Sequence, residues 1–166
     1  MQPLTVERAR PLVERLLTDL KGRLGDDLLA VALFGSVARG TGHATSDIDL
    51  LIVHRGDARE ALGLFIDILL ALRRTPEYQA LEAEGFLPEP APLFLTPERL
   101  AQHPRVLLDV LDHGVVLHDP ERLLDETLKQ LRQRLDALGA RKVTLPDGTW
   151  YWDLKPDWKP GDTIAL

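Results

Sequence analysis

Cysteine is absent from the 166-residue sequence, and aromatic residues make up only 5% of it. Without cysteine, disulfide bonds, thiol catalysis and cysteine-ligated zinc sites are excluded. A membrane-spanning helix needs about 20 consecutive apolar residues. Neither such a run nor the apolar segment of a signal peptide is found, so we expect a cytoplasmic protein without membrane contact. The formal net charge of −6 argues against nucleic-acid binding over the whole surface.

Two apolar runs enclose a short loop in the first third of the chain. Residues 28–34 and 48–53 have the length and composition of buried strands. Asp47 and Asp49 lie at the start of the second run, and alternate residues of a strand point the same way, so their carboxylates should project from one face about 7 Å apart. Such a pair repels unless a cation lies between its members. Hard carboxylate oxygens favour Mg²⁺ or Mn²⁺.

The residues that follow the first run offer a complementary anion site. Gly35 allows the backbone to approach a ligand closely. We expect Ser36 to cap a short helical turn that extends through Arg39, with its first N–H groups directed at an anion. A triphosphate bound there would place its oxygens near metal ions held by Asp47 and Asp49, where two metals stabilise an in-line displacement. These parts together predict nucleotidyl transfer.

A second interpretation of the glycine-rich loop is a P-loop. That motif requires Lys followed by Ser or Thr after its last glycine. Here Gly40 is followed by Thr41 and Gly42, so the P-loop interpretation fails.

The spacing of the motif resembles that of a known superfamily. Gly35-Ser36, ten intervening residues and Asp47-Ile48-Asp49 are similar to the signature of the nucleotidyltransferases related to DNA polymerase beta, and most similar to the minimal nucleotidyltransferase (MNT) antitoxins. The resemblance is strong over residues 28–53 and looser over residues 1–125.

The resemblance implies a function and a set of site residues. MNT antitoxins pair with HEPN-family RNase toxins and transfer adenylyl groups to them. The resemblance implies Mg²⁺ or Mn²⁺ as cofactor, ATP as substrate, a HEPN-type toxin as partner and the hydroxyl of a tyrosine as acceptor. Asp47 and Asp49 would be the catalytic and metal-binding residues, and Gly35, Ser36 and Arg39 would bind the nucleotide.

One departure from the family pattern concerns a third carboxylate. Relatives commonly carry it on a third strand facing the first two acids, whereas the expected strand here, residues 91–95, contains no acid. Glu89 is the nearest candidate, but prolines flank it, and we expect a solvated loop residue. One-metal chemistry, a base supplied by the partner and loss of activity all remain open. Two further functions therefore stay open: transfer to a small molecule such as an aminoglycoside, and a catalytically inert antitoxin that acts by binding.

The remaining pattern predicts an α/β fold, and the resemblance implies that it is of the nucleotidyltransferase type. We expect a small mixed sheet from strands near 28–34, 47–53 and 91–95, backed by helices on one face, with residues 115–118 as a peripheral strand. Helical periodicity is found in five further segments: 5–24, 57–74, 77–85, 104–113 and 119–138. The helix over 5–24 should kink or start late at Pro11. The helix over 57–74 should be mostly buried.

The C-terminal segment differs in composition from the rest. All three tryptophans follow residue 149, and an Asp147-Gly148 turn predicts a β-hairpin. The hairpin either packs its aromatic residues on the domain or presents an aromatic, lysine-bearing platform to a nucleotide base, RNA or protein. We divide the chain into a nucleotidyltransferase domain, residues 1–138, and a hairpin and tail packed on it, residues 139–166.

Overall fold

The computed structural model describes residues 2–146 and 149–164. It contains a four-stranded sheet with helices on both faces and a C-terminal β-hairpin. The strands are β1 Leu28–Phe34, β2 Ile48–His54, β3 Pro90–Leu95, β4 Val115–His118, β5 Arg141–Thr144 and β6 Trp150–Asp153. The helices are α1 Val6–Leu24, α2 Gly35–Ala38, α3 Ala58–Leu72, α4 Pro76–Ala83, α5 Pro97–Leu100, α6 Val106–His113 and α7 Leu123–Leu138. No helix among the described residues is both long and apolar enough to cross a membrane.

The sheet is mixed, as predicted, with the strand order β3-β2-β1-β4. β1 pairs antiparallel with β2 and with β4, whereas β2 and β3 are parallel. The pairing places Asp49 between Phe34 on one side and Ala91 on the other. β4 is an integral edge strand of this sheet, so its description as a peripheral addition was wrong.

Helices cover both faces of the sheet, which corrects the expectation of one covered face. Helices α1, α3 and α4 pack on alternate residues of β1 and β2 that include Val31 and Leu50. Helices α5, α6 and α7 pack on the other face, which includes Ala30, Ala32 and Leu51. The physical reason is the uninterrupted apolar run of both central strands, because a strand that is apolar at every position must be buried on both sides.

Helix α1 begins earlier than its proline suggested. Thr5 caps its first turn by accepting a hydrogen bond from the N–H of Arg8, and Pro11 lies inside the helix, so the predicted late start was wrong. Proline in a helix interior loses a backbone hydrogen bond. The buried residues Ala9 and Leu12 lie on either side of it, and packing against the sheet keeps the helix continuous in spite of that loss.

Helix α3 begins as predicted, with Asp57 accepting hydrogen bonds from the N–H groups of Arg59 and Glu60. The expectation that it is mostly buried was wrong. Its outward face carries three apolar side chains that are about half exposed: Leu62, Ile66 and Leu70. Apolar residues occur on nearly all sides of this helix, and sequence periodicity alone does not reveal which stripe meets the core.

Helix α7 ends as predicted, with Gly139 in the left-handed conformation at its C-cap, but it begins at Leu123 rather than beside Pro120. Asp119 still stabilises its start, because its carboxylate accepts hydrogen bonds from the N–H groups of Leu124 and Asp125. The anionic side chain also interacts favourably with the helix dipole.

The C-terminal strands β5 and β6 pair antiparallel, as expected for a hairpin. The predicted turn residues Asp147 and Gly148 lie outside the described residues. Trp152 and Leu154 contact the core on the α5–α7 side of the sheet. The Lys142 ammonium forms an ion pair with Asp112 on α6, which joins the hairpin to that helix.

The burial pattern of α3 predicts that replacing two isoleucines of this helix changes the free energy of unfolding by very different amounts. Ile68 is 2% exposed and Ile66 is 48% exposed. Ile68→Ala should lower the free energy of unfolding by about 2–5 kcal/mol, because it leaves a cavity in the core. Ile66→Ala should change it by less than about 1 kcal/mol. Urea denaturation of both variants measures the difference, and equal losses would show that the outer face of α3 is buried in solution.

Candidate functional site

The two halves of the predicted motif meet where β1 ends. Gly35 follows Phe34, and Asp49 lies opposite Phe34 in the sheet. Gly35 has a φ of 73°, in the region that favours glycine. A Cβ atom at this position would lie 1.9 Å from Oδ2 of Asp49. The Asp49 carboxylate therefore occupies the space that a side chain at position 35 would fill.

Ser36 lies within α2 rather than at its N-cap. The cap position is Phe34, without a side-chain hydrogen bond, so the predicted capping role of Ser36 was wrong. The Ser36 carbonyl accepts a hydrogen bond of 2.9 Å from the N–H of Thr41, which closes the turn. Within residues 2–146 and 149–164, the Ser36 hydroxyl has no hydrogen-bond partner and is free to bind a ligand.

The loop between α2 and β2 is fixed by contacts from other parts of the chain. Leu4, which is fully buried, donates a backbone hydrogen bond of 2.8 Å to Gly42. Leu87 donates one of 2.7 Å to Ala44. The buried Ser46 hydroxyl accepts a bond of 2.9 Å from the N–H of His43. These bonds hold the loop that leads directly into Asp47.

Asp47 and Asp49 are the two acids at the start of β2, the former exposed and the latter partly buried. In the described part of the chain, neither side chain has a hydrogen bond or an ion-pair partner. Burial raises the pKa of Asp49, the negative charges of Asp47 and Asp109 raise it further, and Arg39 opposes the shift. An unpartnered, repelling pair of carboxylates is an environment that a bound cation stabilises.

Arg39 and Asp109 form an ion pair beside these acids. The Arg39 Nη1 donates to Oδ1 of Asp109 at 2.8 Å and to Oδ2 at 3.0 Å. Sequence reasoning missed Asp109, because it lies 70 residues further along the chain on α6 and no motif marks it. The predicted site residues Gly35, Asp49 and Arg39 are therefore neighbours, and Arg39 is partly neutralised by Asp109.

The structure does not place a third carboxylate on β3. Ala91 lies opposite Asp49, and Pro90–Leu95 contains no acid. Glu89 accepts hydrogen bonds from the Tyr78 hydroxyl at 2.7 Å and from Arg73 at 2.8 Å. Burial favours a higher pKa, but these two bonds outweigh it and hold the pKa of Glu89 below its usual value. Glu89 is thus a structural acceptor between α4 and α3, rather than the solvated residue that we expected.

The donor set suits Mg²⁺ bound together with a nucleotide. No group of three or more His, Asp or Glu side chains in the described residues is arranged to hold a metal ion. Mg²⁺ in nucleotide enzymes is usually held by one or two carboxylates plus phosphate oxygens and water. Asp47 and Asp49, both free of protein partners within that part of the chain, meet this requirement.

Comparison with known proteins places the motif in a family. The model of the nucleotidyltransferase domain family matches residues 13–156. The chain belongs to this family. The matched range includes the turn at Gly35, the acids Asp47 and Asp49, and strands β5 and β6 of the C-terminal hairpin.

One curated relative is similar to a short segment of the chain. A Methanocaldococcus jannaschii protein, "Putative protein adenylyltransferase MJ1305", is 45% identical over 42 residues. That match covers 25% of this chain and 29% of the relative's length, so it spans less than a third of either protein.

Two solved structures are similar at low sequence identity. A chain of a toxin–antitoxin complex with AMP-PNP has a TM-score of 0.45 and 17% identity, with coverage of 76% of this chain and 92% of that chain. A chain of the Shewanella oneidensis complex of a tri-AMPylated HEPN toxin with an MNT antitoxin has a TM-score of 0.40 and 12% identity, with coverage of 77% and 92%.

Two glycines of the same turn allow a matched test of the contact with Asp49. Gly35 and Gly40 both have a φ of 73°, but only a Cβ at position 35 would collide with Asp49. Both alanine variants should lose about 1–2 kcal/mol of stability from the positive φ. Only Gly35→Ala should also weaken Mg²⁺-dependent ATP binding, since it displaces the carboxylate. Isothermal titration calorimetry measures this, and equal binding losses in the two variants would contradict a role for the contact.

The raised pKa of Asp49 predicts a pH-dependent effect of its replacement. A carboxyl whose pKa is higher in the folded than in the unfolded protein stabilises the fold at low pH, and this contribution is lost as the pH rises through the folded-state value. Asp49→Asn should therefore melt at an equal or higher temperature than the wild type at pH 7 without Mg²⁺. The difference should shrink below about pH 4, where both side chains are neutral. Calorimetric melting curves of the wild type and of Asp49→Asn across this pH range measure the difference. A large loss of stability at pH 7 would show that Asp49 is a structural residue.

Proposed function

We propose that the protein is a cytoplasmic, Mg²⁺-dependent adenylyltransferase that modifies a hydroxyl of a HEPN-type toxin and so acts as its antitoxin. The observation that carries the proposal is the pair Asp47 and Asp49 in a chain of the nucleotidyltransferase domain family. Neither acid has a protein partner among the described residues, and Asp49 packs against the turn at Gly35. The similarity of a segment to an archaeal protein named as an adenylyltransferase supports ATP as the substrate.

In this proposal, the acids of β2 and the turn after β1 have separate tasks. Asp47 and Asp49 bind the metal, which can be Mg²⁺ or Mn²⁺. When bound, the metal neutralises charge on the attacking and leaving oxygens. The Ser36 hydroxyl and the backbone N–H groups of the turn at Gly35 bind the triphosphate. Arg39 keeps Nε and Nη2 free of partners among the described residues, and these groups add positive charge beside the phosphates.

The transfer forms one bond and breaks one. The hydroxyl oxygen of the acceptor bonds to the α-phosphorus of ATP, and the bond between that phosphorus and the oxygen bridging to the β-phosphorus breaks. Pyrophosphate leaves, and the hydroxyl proton passes to solvent. Holding the nucleotide and the acceptor in line at Asp47 and Asp49 supplies the orientation that an uncatalysed reaction lacks.

The partner and domain assignments rest on the motif and on its resemblance to the MNT antitoxins. We propose that residues 1–138 form the catalytic domain and that residues 139–166 pack on it. The contacts of Trp152 and Leu154 with the core and the ion pair between Lys142 and Asp112 support this division.

An inert antitoxin that only binds the toxin is the second candidate. The absence of an acid from β3 favours it, and so does the pairing of Asp109 with Arg39, which leaves Asp109 less free to accept a proton. The unpartnered Asp47 and Asp49 oppose it, because repelling carboxylates without a ligand only destabilise the fold.

The proposal is tested by transfer of label from ATP. The protein is incubated with α-³²P-ATP and Mg²⁺, with and without the product of the neighbouring gene. We expect label on that partner, and none when EDTA is present or when the Asp47→Asn/Asp49→Asn double variant replaces the wild type. Asp67→Asn, at an exposed acid on α3, should retain full transfer.

The other outcomes separate the candidate functions. A stable complex without label would support the inert antitoxin. Label transferred to an aminoglycoside instead of the protein would support the small-molecule enzyme. Transfer that persists in the double variant would show that Asp47 and Asp49 do not carry the chemistry.

A further inference from the structure

A cavity of about 440 Å³ lies between α6 and the C-terminal hairpin, lined by Arg105, Leu108, Asp109, Trp150, Trp152 and Leu154. We propose that this cavity binds the base of the nucleotide and favours a base that carries an exocyclic amine. The inference rests on the proposed function, since it names the part of ATP that the site recognises. Its volume is within the range of about 300–1,000 Å³ that is usual for small-molecule sites.

The position of the cavity follows from the sheet. Asp49 lies on the same face of β2 as Leu51 and Val53, the face covered by α6 and α7. Asp109 of α6 lines the cavity and also pairs with Arg39 of the turn at Gly35. One residue is therefore shared by the cavity and the phosphate side of the site. A nucleotide with its phosphates at the turn extends its base toward the hairpin.

The walls of the cavity match a purine ring. Trp150 and Trp152 provide aromatic surfaces for stacking, and Leu108 and Leu154 provide apolar flanks. The indole N–H of Trp152 is buried and has no acceptor among the described residues. An indole N–H can only donate, and a buried donor without an acceptor is unfavourable. Because this N–H has almost no accessible surface, the part of Trp152 that lines the cavity and is open to a base is its ring.

Asp109 gives the cavity a preference for a particular kind of base. Its carboxylate accepts hydrogen bonds and repels a carbonyl oxygen, so it favours a base with an exocyclic amine. Adenine, guanine and cytosine carry an exocyclic amine, whereas uracil carries none. The carboxylate of Asp109 therefore favours ATP over UTP.

The hairpin is held in place for this role before any ligand binds. The Lys142 ammonium pairs with Asp112 and lies 4.1 Å from the centre of the Trp150 ring. Asp112 and Asp109 are one helical turn apart on α6, so a single helix positions both the aromatic wall and the ion pair at the catalytic side. Preorganisation of this kind reduces the entropy lost on binding.

The test separates base binding from phosphate binding. Titration calorimetry of the full chain with Mg²⁺ compares three ligands, ATP, adenosine and inorganic tripolyphosphate, in the wild type, Trp152→Leu and Trp158→Leu. The control Trp158 is exposed and donates its indole N–H to the backbone of Asp162, outside the cavity. Trp152→Leu should weaken binding of ATP and adenosine alike, by about 5- to 100-fold. Tripolyphosphate binding, and all binding by Trp158→Leu, should be unchanged.

A second variant guards against a simple folding defect. Trp152→Phe keeps an aromatic ring and loses the N–H donor, so it should melt near the wild-type temperature and weaken adenosine binding less than Trp152→Leu does. In the wild type, adenosine should quench tryptophan fluorescence, and ATP should bind more tightly than UTP.

Three results would overturn the proposal. Unchanged affinity for ATP and adenosine in Trp152→Leu would exclude the base from the cavity. A higher KM for the acceptor protein with unchanged nucleotide affinity would assign the cavity to an acceptor side chain. Equal affinity for ATP and UTP would remove the selective role of Asp109. If the Asp47→Asn/Asp49→Asn variant loses transfer but binds adenosine normally, the base site stands independently of the fate of the proposed catalysis.

Discussion

The contact between the Asp49 carboxylate and the backbone of Gly35 is the constraint on which the site depends. Oδ2 of Asp49 lies where the Cβ of any other residue at position 35 would be, so the turn and the acid fit together only with glycine. Their approach is set by the register of β1 and β2, in which Asp49 faces Phe34. A shift of one residue would turn Asp49 to the opposite face of the sheet. Burial of both strands on two sides prevents such a shift, and the core therefore maintains the geometry of the site.

Electrostatics explains why this arrangement suits a cation and a phosphate together. Asp49 is partly buried beside the negative charges of Asp47 and Asp109, and Arg39 is the cation that counters them. Arg39 is paired with Asp109, so Asp47 and Asp49 are left without a protein counter-ion in the described part of the chain. A metal bound between these two acids relieves their repulsion. Its charge in turn attracts phosphate oxygens to the turn, where the N–H groups and the Ser36 hydroxyl are available.

The sequence predicted what depends on local patterns and missed what depends on distant contacts. The bounds of β1 to β4 were predicted to within one residue, although β4 was not expected in the main sheet, because short apolar runs between turn residues are typical of buried strands. Asp109 could not be found, since its relation to Arg39 spans 70 residues and is created by the packing of α6 on β1. The exposed stripe on α3 was missed although it is a local feature, because a helix that is apolar on nearly all sides has no periodic signal that separates its two faces. Cover on both faces of the sheet could have been inferred from the uninterrupted apolar runs of β1 and β2.

Helix α6 connects features that appear unrelated in the sequence. It packs on Ala30 and Ala32 of β1, whose small side chains allow the helix to approach the sheet closely. From that position Asp109 reaches Arg39, and Asp112 reaches Lys142 of the hairpin. The same short helix thus sets the charge around Asp49 and the place of the tryptophans. Because Asp109 and Asp112 point from one face of a rigid helix, a change in hairpin position that moves α6 alters the ion pair of Arg39 as well. The C-terminal hairpin is in this sense coupled to the turn at Gly35, even though it follows Asp49 by about 100 residues.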